Sequence, residues 1–92
     1  MRFFFHAEDG QAFPDHTGTE LPGPEAARVE AVRIAAQLLE RSPEEFWKDR
    51  TLRVVCADDG GLTLFSIEVL AVVAAASPAA TPDPRRAGAV ST

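Results

Sequence analysis

His6 and His16 are the chain's two histidines, and four carboxylates, Glu8, Asp9, Asp58 and Asp59, stand in segments that read as turns. Two imidazoles with carboxylates beside them can hold zinc or another divalent cation. That requires His6, Glu8, Asp9, His16, Asp58 and Asp59 to gather at one end of a sheet. The plainer chemistry is local, because Asp in a turn accepts hydrogen bonds from nearby backbone N–H groups. The spacing matches no ligand motif, so no metal or other cofactor is assigned; His6, His16, Asp58 and Asp59 remain the candidates. Either histidine can serve as a base, but no Ser or Thr sits in a recognisable nucleophile elbow. No catalytic residue is assigned, and enzymatic activity is not expected.

Cys56 is the single cysteine. It excludes an intrachain disulfide and a thiolate cluster and fits a reducing compartment. Its neighbours Val54, Val55 and Ala57 place it in a strand, and alternation puts it inward with Leu52 and Val54. A buried, unreactive thiol is expected. Gly10, Gly18, Gly60 and Gly61 form no phosphate loop, since Gly60-Gly61 joins two strands and opens no helix.

The elements that carry these residues repeat. Phe4-Phe5-His6-Ala7-Glu8-Asp9-Gly10 and Val54-Val55-Cys56-Ala57-Asp58-Asp59-Gly60 are both β-prone runs ending in Asp-Gly. Asp-Gly after such a run predicts a two-residue type I′ hairpin, with Gly10 and Gly60 at positive φ. Strands are predicted over Arg2–Ala7, Gln11–Pro14, Thr51–Ala57 and Leu62 to about Leu70. Pro14 cannot donate to a ladder and ends the second or keeps it at an edge. Asp15-His16-Thr17-Gly18 has the residue order of a type I turn, and Thr19–Leu21 reads as a short extended link.

Pro22-Gly23-Pro24-Glu25 opens a helix, with Gly23 as N-cap and Pro24 at the first helical position. The helix is predicted to run to about Arg41. Ala27, Ala31, Ile34, Ala35 and Leu38 form one stripe, small at the start and large at the end, so the helix should approach the sheet most closely at its start. Ser42-Pro43-Glu44-Glu45 has the form of a capping box and begins a short helical turn carrying Phe46 and Trp47. Trp47 is either a partner-binding anchor or, with Phe46, the closure of a small core.

The fold class is therefore α+β: a two-layer ββαββ unit, with an antiparallel sheet of about four strands packed on one helix. One domain is expected over residues 1–73, with a disordered Ala/Pro-rich tail over 74–92. A unit this small buries only about 60% of its unfolded surface, which favours a second subunit. The net charge is −5, and no basic run precedes Arg85-Arg86. Nucleic-acid binding needs a Lys/Arg cluster, so it is not expected. The start of the chain has no signal-peptide pattern. The most apolar run, Ile67–Ala76, is far short of the ~20 residues of a membrane helix. A cytoplasmic protein without membrane partners is expected. Eight arginines against one lysine suggest the coding bias of a GC-rich bacterium.

Alternation also divides the sheet into faces. Phe3, Phe5, Leu52, Val54, Cys56, Phe65, Ile67 and Val69 point toward the helix. Phe4, Val55, Leu62 and Leu64 point away, framed by Arg2, His6 and Arg53. Four large apolar side chains on an open face exceed the scatter expected of a monomer. The face is expected to bind a partner or a second copy, unless the tail or the short helix covers it.

Arg2-Phe3-Phe4-Phe5-His6, Asp9-Gly10, Pro14-Asp15 with Gly18, Glu20-Leu21-Pro22 and Glu25-Ala26-Ala27-Arg28-Val29-Glu30-Ala31 follow one another in a recognisable order. With Glu45-Phe46-Trp47, Val54, Asp58-Asp59-Gly60 and Leu62-Thr63-Leu64-Phe65, the order resembles a family of short alphaproteobacterial proteins known only as a domain of unknown function. The resemblance spans roughly residues 2–72 and implies no activity. Over residues 3–39 the early hairpin with Asp-Gly and Pro-Asp, followed by an Ala-rich helix, is also similar to HicB-type antitoxins, which implies inhibition of a toxin partner. The function expected is a small protein–protein interaction or regulatory module, a homodimer. The alternatives are an antitoxin-like inhibitor, or a small enzyme or metal-binding protein using His6, His16 and the turn carboxylates.

Overall fold

The computed structural model describes residues 1–74. The expected tail lies, from residue 75 on, outside the described residues. The chain runs β1 (Arg2–Glu8), β2 (Ala12–Phe13), β3 (Thr19–Glu20), α1 (Pro24–Arg41), α2 (Pro43–Asp49), β4 (Thr51–Asp58) and β5 (Thr63–Leu70). The sheet is antiparallel with order β2-β1-β4-β5, and β3 also pairs with β1. The α+β hairpin–helix–hairpin plan holds. The extended link is a fifth strand, and the short helical turn is a second helix.

Period-2 alternation places the core where the sequence predicts it. Phe3, Phe5, Leu52, Val54 and Cys56 are buried, with Phe65, Ile67 and Val69 half-buried around them. Ala27, Ala31 and Ala35 of α1 close over this face. Ile34, Leu38 and Leu39 follow further along, half-buried against the same core. Gly23 and Pro24 occupy the predicted N-cap and first helical positions.

Two turn expectations change. Type I′ geometry needs positive φ at both central residues, but Asp9 and Asp59 do not adopt it. The second turn is a three-residue loop: Asp58 N–H donates to Leu62 O, Gly61 N–H donates to Asp58 O, and Gly61, not Gly60, is at φ 85°. Asp58 Oδ1 accepts from the N–H groups of Gly60 and Leu62 at 2.9 Å, which selects the longer loop. The first hairpin likewise turns through Asp9-Gly10-Gln11, with Gly10 at φ 91°.

The capping box does not form. Ser42 makes no side-chain cap bond. Its N–H, which Glu45 would accept in that motif, ends α1 by donating to Leu38 O, and Glu45 pairs with Lys48 at 2.9 Å instead. One residue thus ends one helix and starts the next.

Candidate functional site

The hypothetical cation site fails on topology. β1 and β4 are antiparallel, with Phe3 opposite Asp58 and Glu8 opposite Arg53. The two hairpin turns therefore stand at opposite ends of the sheet, about 17 Å apart along the strands at ~3.4 Å per residue. Asp58 and Asp59 do not join His6, Glu8 and Asp9. Asp58 is spent on its own turn, and no group of three or more His, Cys, Asp or Glu side chains among the described residues is arranged to hold a metal ion. His16 is exposed in the loop before β3.

His6 is held elsewhere, by Asp15, whose role sequence reasoning missed. In β1, Phe3, Phe5 and Ala7 turn their backbone groups away from β4, as alternation in an antiparallel ladder requires. β3 meets this edge at Phe3 and β2 meets it at Ala7. Between them Asp15 takes the place of a strand. Its Oδ2 accepts from Phe5 N–H at 3.1 Å, and its Oδ1 accepts from Thr17 and Gly18 N–H at 3.0 Å. Its own N–H donates to His6 Nδ1 at 3.0 Å, so the proton of the neutral His6 ring sits on Nε2. Burial pushes the Asp15 carboxyl up. The N–H groups of Gly18, Phe5 and Thr17 and the nearby His6 outweigh it, so the group titrates below the ordinary Asp range. The Pro14-Asp15 pair followed by Gly18 marked a turn; it carried no sign that the carboxylate would reach β1.

This loop folds over part of the outer face. Gly18, at φ 77°, lies so close that a Cβ there would stand 2.9 Å from the Phe4 ring and from Arg2 Cγ. Phe4 is consequently half-buried, against Ala57 across the ladder, and Ala57 is buried on the outer side of β4. The cover comes from the loop over residues 15–18.

The rest of the outer face divides in two. At one end Arg53 pairs with Glu8 at 3.8 Å and with Glu68, its Nε donating to Glu68 Oε1 at 2.8 Å. This triad crosses β1, β4 and β5 and is polar and exposed. At the other end lie Phe4, Val55, Ala57 and Leu64, with Leu64 42% exposed. The irregularity in β5 pairs Thr63 with Ala57 and Leu62 with Asp58, which stands opposite Phe3, so Leu62 is in register with the helical side. Of the proposed partner-binding residues, the register shift takes Leu62 off this half, and Phe4, Val55 and Leu64 share it. Trp47 does not: α2 packs through Phe46 in the helical layer, leaving Trp47 exposed there with its ring edge-on to Phe46. Cys56 is fully buried, and burial raises its thiol pKa, as expected of an inert cysteine.

The cavities are open grooves. One runs between the first turn and α2, lined by Asp9, Gln11, Glu45, Lys48 and Asp49 among others. Its only cation, Lys48, is engaged by Glu45. Nothing in it pairs a nucleophile with a base. No helix among the described residues is long and apolar enough to cross a membrane.

The model of the family described as Domain of unknown function (DUF6894) matches residues 2–71, the hairpin–helix–hairpin unit, and the chain belongs to that family. No curated protein and no solved structure matches it.

Proposed function

We propose that this member of a family without an assigned activity is a small protein-binding module, whose docking surface is the apolar half of the outer sheet face. One observation carries the reading. Leu64 stands exposed beside Phe4, Val55 and Ala57, on the half of the face that the Glu8–Arg53–Glu68 triad leaves free. A large side chain held in water on a formed sheet gains by transfer to a partner, at about 25 cal/mol per Å² covered. Apolar centre and charged margin are also the usual anatomy of a protein interface. The occupant is a protein chain with an apolar surface of its own. A single buried cysteine suits the reducing bacterial cytoplasm in which we place the encounter.

The test is a comparison of captured partners. Leu64→Glu changes an exposed position on this face and Leu62→Glu an exposed position off it, and both should leave the domain folded. The full chain and both variants are used as bait in extract of the source organism, with quantification against each other. A partner that binds the parent chain and Leu62→Glu and is lost from folded Leu64→Glu supports the reading, and its identity shows whether it is the toxin that the antitoxin resemblance implies. A partner retained by Leu64→Glu overturns it, as does one lost equally from both variants.

A further inference from the structure

The two edges of the sheet are treated differently. The β1 edge is closed rung by rung: β3 at Phe3, the Asp15 carboxylate at Phe5, β2 at Ala7. The β5 edge runs over Thr63–Leu70 with no strand beside it among the described residues. Open edges are usually blunted by proline, by charge or by a bulge. β5 contains no proline. Its one charge, Glu68, is drawn across the outer face by Arg53, and its one irregularity lies near its start, opposite Cys56/Ala57. Ser66 to Leu70 is an unguarded template.

The outward backbone groups can be identified. Ala71 N–H donates to Arg50 O, so Arg50 and Ala71 form a hydrogen-bonded rung. Alternation then makes Leu52–Val69, Val54–Ile67 and Cys56–Phe65 the bonded rungs of β4 and β5. Ser66, Glu68 and Leu70 must turn their N–H and C=O groups to the open edge.

We infer that this edge pairs with the same edge of a second copy, antiparallel, about a two-fold axis at Ile67. Directly opposed residues share a face, and only outward residues can bond, so the axis must pass through a residue of β5. An axis at Glu68 opposes two like charges, and an axis at Ser66 sets Glu68 against Leu64. An axis at Ile67 puts Ser66 opposite Glu68 of the second copy, with both backbone bonds exchanged on each side of the axis. It puts Leu64, 42% exposed, opposite Leu70, 67% exposed, so that each covers the other. On the helical side, half-buried Phe65 meets Val69 and Ile67 meets Ile67. The strand is self-complementary in this register on both faces. The inference rests on the β5 edge and shares only Leu64 with the docking surface proposed above.

Light scattering on the full chain at about 50 µM should give twice the 9.9 kDa monomer mass. Ser66 tests the register, because it is exposed and its N–H is not used by β4. Ser66→Lys faces Glu68 at two symmetric places and should tighten the dimer about fivefold; Ser66→Glu should weaken it about fivefold or more. Ser66→Pro should give a folded monomer, and if it does not fold, the Lys and Glu pair still decides. Leu62→Glu lies outside the paired strand and should leave the dimer intact, and the Ser66 series leaves Leu64 unchanged, which separates this result from the fate of the docking surface. A monomer at about 200 µM overturns the inference. So does a dimer that Ser66→Lys weakens, one that neither Ser66 change moves, or one that Leu62→Glu dissolves.

Discussion

Asp15 fills a gap that a strand would otherwise close. Its carboxylate accepts three backbone N–H groups, from Phe5, Thr17 and Gly18. Hydrogen bonds to a charged acceptor are worth more than neutral ones, and an orphaned Phe5 N–H at the ladder has its own cost. Asp15→Ala should destabilise the domain by about 2 kcal/mol, measured by urea unfolding. Asp15→Asn should retain part of this, since its carbonyl can serve Thr17 and Gly18 while its NH2 opposes Phe5 N–H. The pH dependence has a fixed sign. The folded-state carboxyl titrates below its unfolded value. The unfolded chain therefore binds the proton first as pH falls, and the contribution is present above the unfolded pKa and lost as pH drops through the folded one. Between about pH 6 and about pH 2 the parent chain should lose more stability than Asp15→Asn. Parallel curves for the two proteins would contradict the assignment. Cys56 gives a second prediction at this scale. Fully buried, with its thiol pKa raised by burial, it should react with a thiol reagent only as fast as the fold opens, and at once in denaturant. Rapid native labelling would show that α1 does not seal that face.

At the scale of the element, alternation and helical stripes were legible, because they are fixed by backbone geometry within one segment. Phe3, Val54 and Cys56 are the largest fully buried side chains, and all are where period 2 puts them. The misses lie where a segment is decided by something outside it. The Glu45 carboxylate turns to Lys48 because Ser42 N–H is already taken by α1. β3 exists because β1 offers it an edge; Thr19-Glu20 alone has no such preference. Strand order, and with it the separation of the two turns, depends on β1 meeting β4, which no local pattern records. The second turn shows how fine the margin is, since positive φ moved by one residue, from Gly60 to Gly61. That correction is testable. No atom lies within 4 Å of a Cβ at Gly61, so the cost of a side chain there is conformational alone. Gly61→Val should cost about 1–3 kcal/mol and Gly61→Asn much less. Gly60→Ala, at ordinary φ with only Asp58 Oδ1 nearby at 3.3 Å, should stay within about 0.5 kcal/mol. Thermal melts of the three variants decide it, and equal losses at Gly60 and Gly61 would return the turn to type I′.

The whole molecule is built on a thin core. Four of the nine buried residues among the described residues are alanines, three of them, Ala27, Ala31 and Ala35, on the helix, and the sheet contributes only two phenylalanines, Phe3 and Phe5, to the buried set. Small side chains let α1 approach closely, but they bury little area each, and domains of this size are marginal alone. Phe65, Ile67 and Val69 are left half-buried at the margin of that core. If a second copy completes β5, these residues finish their burial only in the dimer, and stability becomes tied to protein concentration. For unfolding to separated chains, mass action adds about 1.4 kcal/mol per tenfold rise in concentration once the dimer is populated. At roughly 4–8 °C per kcal/mol for a single domain of this size, and less per dimer, the melting temperature should climb by several degrees between about 10 µM and about 500 µM. Ser66→Pro should flatten that dependence. It should melt where the parent chain melts at its most dilute, because it removes an N–H that points away from β4 and leaves the monomer's own ladder whole. A parent chain whose melting temperature is constant over this range would mean that the core suffices by itself, with the β5 edge left open to solvent.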